Sequence, residues 1–157
     1  MFASNRRLLI LIALLSFAAV GVALISQYVF DMQPCAYCVL QRLIYLAVGV
    51  VCLLTALGGG VLRRLGALLG LALAACGVWA AYYQYTVASK LLSCAQTFAD
   101  RFIASLGLDT LLPQVFGAYA TCAEAVVKVF GVEYALWSLA LFAVLAVLSL
   151  AALLKRA

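Results

Sequence analysis

Cys35 and Cys38 stand in the stretch QPCAYCVLQR, residues 33 to 42, which ends on Arg42. Two thiols separated by two residues can bridge to each other and reopen, which is the chemistry of disulfide exchange. A bridge across so short a span restrains almost nothing, so its use is redox rather than structural. Pro34 suits an early helical position, where its missing N–H costs nothing and its fixed φ fits the helix. That reading puts Cys35 and Cys38 in a first helical turn and lines up Cys35, Cys38, Arg42 and Tyr45 on one face. Arg42 then lies about 6 Å of helical rise below Cys38. The helix N-terminus and the guanidinium both favour negative charge on the Cys38 sulfur.

A metal is the other use of a C-x-x-C pair. Structural zinc needs four ligands, commonly two such pairs or added histidines, and the chain has no histidine, while Cys94 and Cys122 are far apart in sequence. No metal site is therefore expected. The lack of histidine also removes ordinary haem ligation and histidine acid–base catalysis.

The elements that must carry these residues are membrane spans. Of 157 residues, 69% are hydrophobic and 10% charged, with a mean hydropathy of +1.24, far above a soluble domain. Windows of about 20 apolar residues, enough to cross a bilayer as helix, occur at about 8–27, 43–62, 65–85 and 134–154. The expected fold is an all-α, four-transmembrane-helix bundle forming one domain over residues 1–157. Arg6 and Arg7 precede the first run, but its length exceeds a signal-peptide core, so an uncleaved span is expected. A net charge of +5 does not point to nucleic acid, because the basic residues sit in pairs beside apolar runs.

Those pairs set the topology. Arg6, Arg7, Arg63, Arg64, Lys155 and Arg156 fall at the termini or between the second and third spans, with no acidic residue among them. Asp31, Asp100, Asp109, Glu124 and Glu133 fall on the other side, with Arg42, Lys90, Arg101 and Lys128. Basic flanks stay cytoplasmic, so both termini are expected inside, with outer loops at about 28–34 and 86–133. The long loop is too long to be structureless. Phe98, Phe102 and Leu106 recur at helical spacing and predict a short amphipathic helix on the membrane surface.

This topology sorts the six cysteines. Cys35, Cys38, Cys94 and Cys122 face the compartment where disulfides persist, one pair in each outer segment. Taken alone, Cys94 and Cys122 fit a plain staple worth about 3–4 kcal/mol in the chain-entropy model as well as they fit a redox role. Cys52 and Cys76 lie inside spans two and three. An arginine so near hydrocarbon is costly, and it either reaches back to the headgroups or has a functional partner. A positive group beside a reactive thiol, open sideways to lipid, suits a lipid-soluble acceptor that gains negative charge on reduction, as a quinone does.

At these residues the chain resembles the DsbB family, bacterial inner-membrane proteins that reoxidise the periplasmic thiol oxidase DsbA with a respiratory quinone. The resemblance covers nearly the whole chain: four spans, P-C-x-x-C with Arg42 four residues after the second cysteine, two cysteines in the long loop, and the local stretches PQVFGAYATCAE (113–124) and GVEYALW (131–137). It implies that DsbA attacks Cys94, with Cys122 its loop partner. It further implies that Cys35 and Cys38 take the electrons, Cys38 facing ubiquinone or menaquinone and Arg42 binding it. DsbA lies near about −120 mV against about −270 mV for thioredoxin, so reoxidising it needs a stronger sink. Two departures bear on proton delivery: the family often has glutamate where this chain has Gln41, and some members have histidine near the end of span three, where it has Gln84. The rival readings are a four-span structural or interaction protein with inert outer disulfides, and a vitamin K epoxide reductase-like enzyme, whose motif falls later in a different bundle order.

Cys52 lies about 21 Å of helical rise from Cys38, whereas a disulfide needs Cα atoms within about 7 Å. A Cys52→Ala, Cys76→Ala double variant should therefore keep wild-type turnover in a thiol-oxidation assay. Loss of turnover in the folded variant would place one of them in the relay.

Overall fold

The computed structural model describes residues 4–87, 98–119 and 128–155. Cys94 and Cys122 lie outside the described residues, as do Lys90, Glu124 and Arg156. In chain order the elements are α1 (Asn5–Val29), α2 (Ala36–Ala56), α3 (Gly60–Thr86), α4 (Phe98–Leu106), α5 (Leu108–Leu111), α6 (Pro113–Phe116), the strands β1 (Lys128–Val129) and β2 (Val132–Glu133), and α7 (Tyr134–Leu154). α1, α2, α3 and α7 are long and apolar enough to cross a membrane, at about 30 to 40 Å each. The chain is an all-α, four-helix membrane protein.

Two helix boundaries differ from hydropathy, for a physical reason. α2 starts at Ala36, well before the apolar window, and takes Gln41 and Arg42 with it. A window scores those residues as though lipid surrounded them, but both are buried inside the protein. α2 correspondingly ends at Ala56, and a turn over 57–59 leads into α3, so Arg63 and Arg64 ride on the first turns of that helix rather than in the connection. Pro34 also stands outside the helix. Cys35, with extended backbone at φ −89° and ψ 175°, is the N-cap, and only Cys38 lies in the helix proper.

The helices pack in a ring. α2 lies between α1 and α3, α3 packs along α7, and a thinner seam between α1 and α7 closes the bundle. Asn5 donates to the carbonyl of Ala152 at 3.0 Å, tying the start of α1 to the end of α7. Lipid tails are as apolar as leucine, so helices associate in a bilayer by close approach rather than by hydrophobic burial. α3 supplies that approach with a buried row of small residues: Gly66, Ala67, Gly70, Ala74, Gly77, Ala80 and Ala81. Phe142 of α7 fills the space over Gly77, and its ring stacks on Tyr45 of α2 with centroids 4.0 Å apart and planes 8° from parallel.

The loop between α3 and α7 carries the short helix expected from Phe98, Phe102 and Leu106. Its opposite face, Ala99 and Ile103, docks on the start of α2 in a cluster with Cys35, Tyr37, Val39 and Phe116. Phe98 and Phe102 stack on each other and stay exposed. Further on, Lys128 pairs with Glu133 and Val129 with Val132 in an antiparallel hairpin. Its two turn residues, Phe130 and Gly131, both have positive φ, 53° and 80°, as a two-residue type I′ turn requires. Trp137 donates its indole N–H to the carbonyl of Val129 at 3.0 Å, fixing the hairpin to α7.

A Cβ at Gly77 would collide with the Phe142 ring, whereas one at Gly21 of α1 meets nothing within 4 Å. Gly77→Leu should destabilise the protein in detergent by about 1–3 kcal/mol through overpacking, and Gly21→Leu should be near neutral. Thermal unfolding of the two variants side by side checks this.

Candidate functional site

The thiol pair sits at the end of the bundle where α2 begins. The Cys35 and Cys38 sulfurs are 3.3 Å apart, in contact without a bond, so small side-chain rotations bring them to the roughly 2.05 Å of a disulfide. They face different surroundings. Cys35 is fully buried against the α4 and α6 layer, while Cys38, half-buried, lines a cavity of about 440 Å³ between α1, α2 and α7. One thiol of the pair thus lies on the loop side and the other on the cavity side.

The cavity is walled by apolar residues of α1 and α7, including Leu15, Val22, Trp137 and Leu141, with Phe130 of the hairpin at its edge. It occupies the thin α1–α7 seam. Cys38, Gln41, Arg42, Gln84 and Ser138 are its main polar lining.

Arg42 is 5% exposed. Its guanidinium is held by acceptors within the protein. Its Nη1 donates to Gln27 Oε1 at 2.7 Å and to the carbonyl of Val115 at 3.0 Å, and Nη2 donates to the carbonyl of Ala23 at 3.5 Å. Every one of these acceptors is neutral. Nε is buried with no partner among the described residues. With no carboxylate against it among the described residues, the buried cation keeps a positive field at the cavity wall, and that field favours an anion there.

The loop is pinned over this site by two hydrogen bonds to its backbone, one from a side chain and one between main chains. Tyr28 donates to the carbonyl of Gln114 at 2.6 Å, and the amide of Tyr119 donates to the carbonyl of Pro34 at 3.0 Å. The PQVF turn therefore presents the Val115 carbonyl to Arg42.

A second set of polar side chains runs beside Cys38. Gln84 Nε2 donates to Cys38 Sγ at 3.2 Å, Gln41 Nε2 donates to Gln84 Oε1, and Ser138 donates to Gln41 Oε1. The Tyr45 hydroxyl lies 3.0 Å from Ser138 Oγ. The sequence singled out Gln41 and Gln84 only as departures from a family pattern. It gave no notice of Gln27 or Ser138, whose one signal is being polar in otherwise apolar helices. Cys52 is buried low in the bundle near Gly70, and Cys76 is exposed on the outside of α3; neither is part of the cavity lining.

Fold and site together define a class: a multi-pass helical membrane protein whose vicinal thiols stand between a loop layer and a cavity at a bundle seam. Residues 5–152 match the family model described as "Disulfide bond formation protein DsbB". The chain belongs to the DsbB family. It is 34% identical to a protein named disulfide bond formation protein B from Ralstonia nicotianae, over 99% of this chain and 98% of that one. Like-named proteins of Cupriavidus metallidurans and Herminiimonas arsenicoxydans are each 32% identical, covering 99% and 91% of this chain and 97% and 91% of theirs. A disulfide-forming oxidoreductase is the activity that this family name carries.

Proposed function

We propose that this protein reoxidises a DsbA-type periplasmic thiol oxidase and delivers the two electrons, through Cys94–Cys122 and then Cys35–Cys38, to a membrane quinone, ubiquinone or menaquinone. Its setting is the bacterial inner membrane with both termini cytoplasmic. The observation that carries this reading is the position of Cys38, on the wall of an apolar cavity beside a buried Arg42 whose acceptors among the described residues are all neutral.

The residues present fit such a ligand. The cavity is large enough for a ring headgroup, its lining is mainly apolar, and Arg42 holds a buried N–H donor with no partner among the described residues. When bound, a quinone supplies a two-electron, two-proton sink. Exchange upstream follows thiolate attack on a disulfide. A thiolate of the partner attacks Cys94, displaces Cys122 and leaves a mixed disulfide; the second partner thiol attacks its own sulfur in that bond, which releases the partner oxidised. The resulting Cys94 and Cys122 thiols reduce the Cys35–Cys38 bridge by a second exchange. Cys38 then stands as the thiol nearest the acceptor, Arg42 holds the developing negative charge, and re-formation of the Cys35–Cys38 bridge yields the electron pair. Two protons leave the partner's dithiol, and the acceptor takes up two.

The decisive assay mixes purified chain, reduced DsbA-type protein and a soluble quinone analogue. Quinone absorbance should fall in step with the partner's thiols, and Cys38→Ser should stop it. Undiminished quinone loss in Cys38→Ser would overturn the reading and favour an inert bridge.

Two variants separate the ends of the relay. Cys94→Ser should abolish oxidation of the partner while Cys35 and Cys38 still bridge when quinone is added, as thiol trapping and mass spectrometry will show. Arg42→Met should raise the apparent KM for quinone by about tenfold or more, in line with loss of a charge-assisted hydrogen bond, and leave the KM for the partner little changed. Arg42→Lys keeps the charge but loses the planar fork, and its defect should be smaller.

A further inference from the structure

We infer that Gln84 is a positioning residue that holds the Cys38 sulfur as a thiolate, through a one-way hydrogen-bond relay starting at Tyr45 that itself carries no proton. The inference builds on the role proposed above for Cys38, but it concerns a state of the sulfur that exists without any quinone.

The direction of the relay is that of its hydrogen bonds. Ser138 donates its one hydroxyl proton to Gln41 Oε1, so toward Tyr45, 3.0 Å away, its oxygen accepts; Tyr45 shares its own proton between that oxygen and the Ser138 carbonyl at 3.2 Å. With Oε1 of Gln41 occupied as acceptor, Gln41 turns its NH₂ to Gln84 Oε1. That in turn fixes Gln84 with its own NH₂ toward Cys38 Sγ, at 3.2 Å. In this arrangement of the amides each link donates to the next, and the last donor ends on sulfur as acceptor. A sulfur anion is the stronger acceptor, since charge-assisted hydrogen bonds are roughly twice as strong as neutral ones.

The relay draws on three helices, with Gln41 and Tyr45 on α2, Gln84 on α3 and Ser138 on α7. Gln41 and Gln84 are 5% and 6% exposed, so neither rotates freely into water. Carboxamides neither take up nor release a proton in the working range. The proton given up by Cys38 therefore does not leave along the relay. The other ionisable groups at this sulfur are Cys35 in contact with it, and Arg42, Tyr45 and Tyr134, which line the same cavity.

The test reads the sulfur directly in reduced, quinone-depleted full-length protein in detergent. The rate of alkylation at Cys38 by a small haloacetamide, resolved by peptide mass spectrometry at neutral pH, reports thiolate, and ultraviolet thiolate absorbance gives a second reading. Gln84→Met keeps the shape and removes the donor, and should slow Cys38 alkylation by about tenfold, the worth of one hydrogen bond to a charged group. Gln84→His keeps an N–H donor and should restore the rate to wild type or above. Ser138→Ala removes the proton that orients the amides, and should slow alkylation by a smaller factor while leaving Cys76 alkylation unchanged. Wild-type alkylation in both Gln84→Met and Ser138→Ala would overturn the inference; if Gln84→Met does not fold, Ser138→Ala decides alone. A chain that shows these effects but does not consume quinone would keep the relay and sink the electron-transfer reading. Normal turnover with no such effects would do the reverse.

Discussion

The charge on Arg42 is buried in an apolar bundle and answered, among the described residues, by neutral oxygens alone. Those oxygens come from different parts of the chain. Gln27 and Ala23 belong to α1 and Val115 to the loop turn, so one guanidinium draws α1, α2 and the loop together around itself. Removing water from a cation costs several kcal/mol, and dipoles repay this only if they are held in place. Here the holding is done by the α1–α2 interface on one side and by the Tyr28 and Tyr119 bonds to the loop on the other. The same charge that organises the site also makes the cavity receptive to an anion. Structure and chemistry at this end of the protein share one cause.

Packing lower in the bundle determines where the polar chain beside Cys38 can sit. Gly77 lets Phe142 come in close, the Phe142 ring stacks on Tyr45, and the Tyr45 hydroxyl meets Ser138. From there the amides lead back up to the sulfur. A residue without a side chain, roughly two turns below Gln84 on α3, thereby contributes to the geometry at a thiol it never touches. The small-residue row of α3 is the precondition, since without it α2 and α7 could not both approach that helix closely enough for their polar groups to meet.

Much of this was legible in the sequence, and what was not has identifiable reasons. Four spans follow from hydropathy, and the helix of the long loop follows from the spacing of Phe98, Phe102 and Leu106. The apolar window begins after the start of α2 because Gln41 and Arg42 lie within the helix yet touch protein rather than lipid, while the C-x-x-C reading already put the helix start beside Cys35. Pro34 looked like a helical residue, but its carbonyl serves the amide of Tyr119 instead and the helix begins beyond Cys35. The hairpin at Lys128–Glu133 has strands too short for any alternation to register. The C-x-x-C pair and Arg42 stood out because they are close in sequence. Gln27, Gln84 and Ser138 come from three different helices, so no spacing links them; only the packed bundle puts them near α2.

The four seams of the ring are unequal, and the thin one joins the first helix to the last. A ribosome delivers α1 and α2 long before α7, so the α1–α2 and α2–α3 contacts can form while the final helix is still being made. Closure between α1 and α7 must come at the end of synthesis, after the whole long loop has been made. The cavity lies in that seam. The pocket is therefore the last part of the molecule to come into existence, and a chain halted anywhere before α7 would hold its vicinal thiols at the end of a half-built bundle with no cavity beside them.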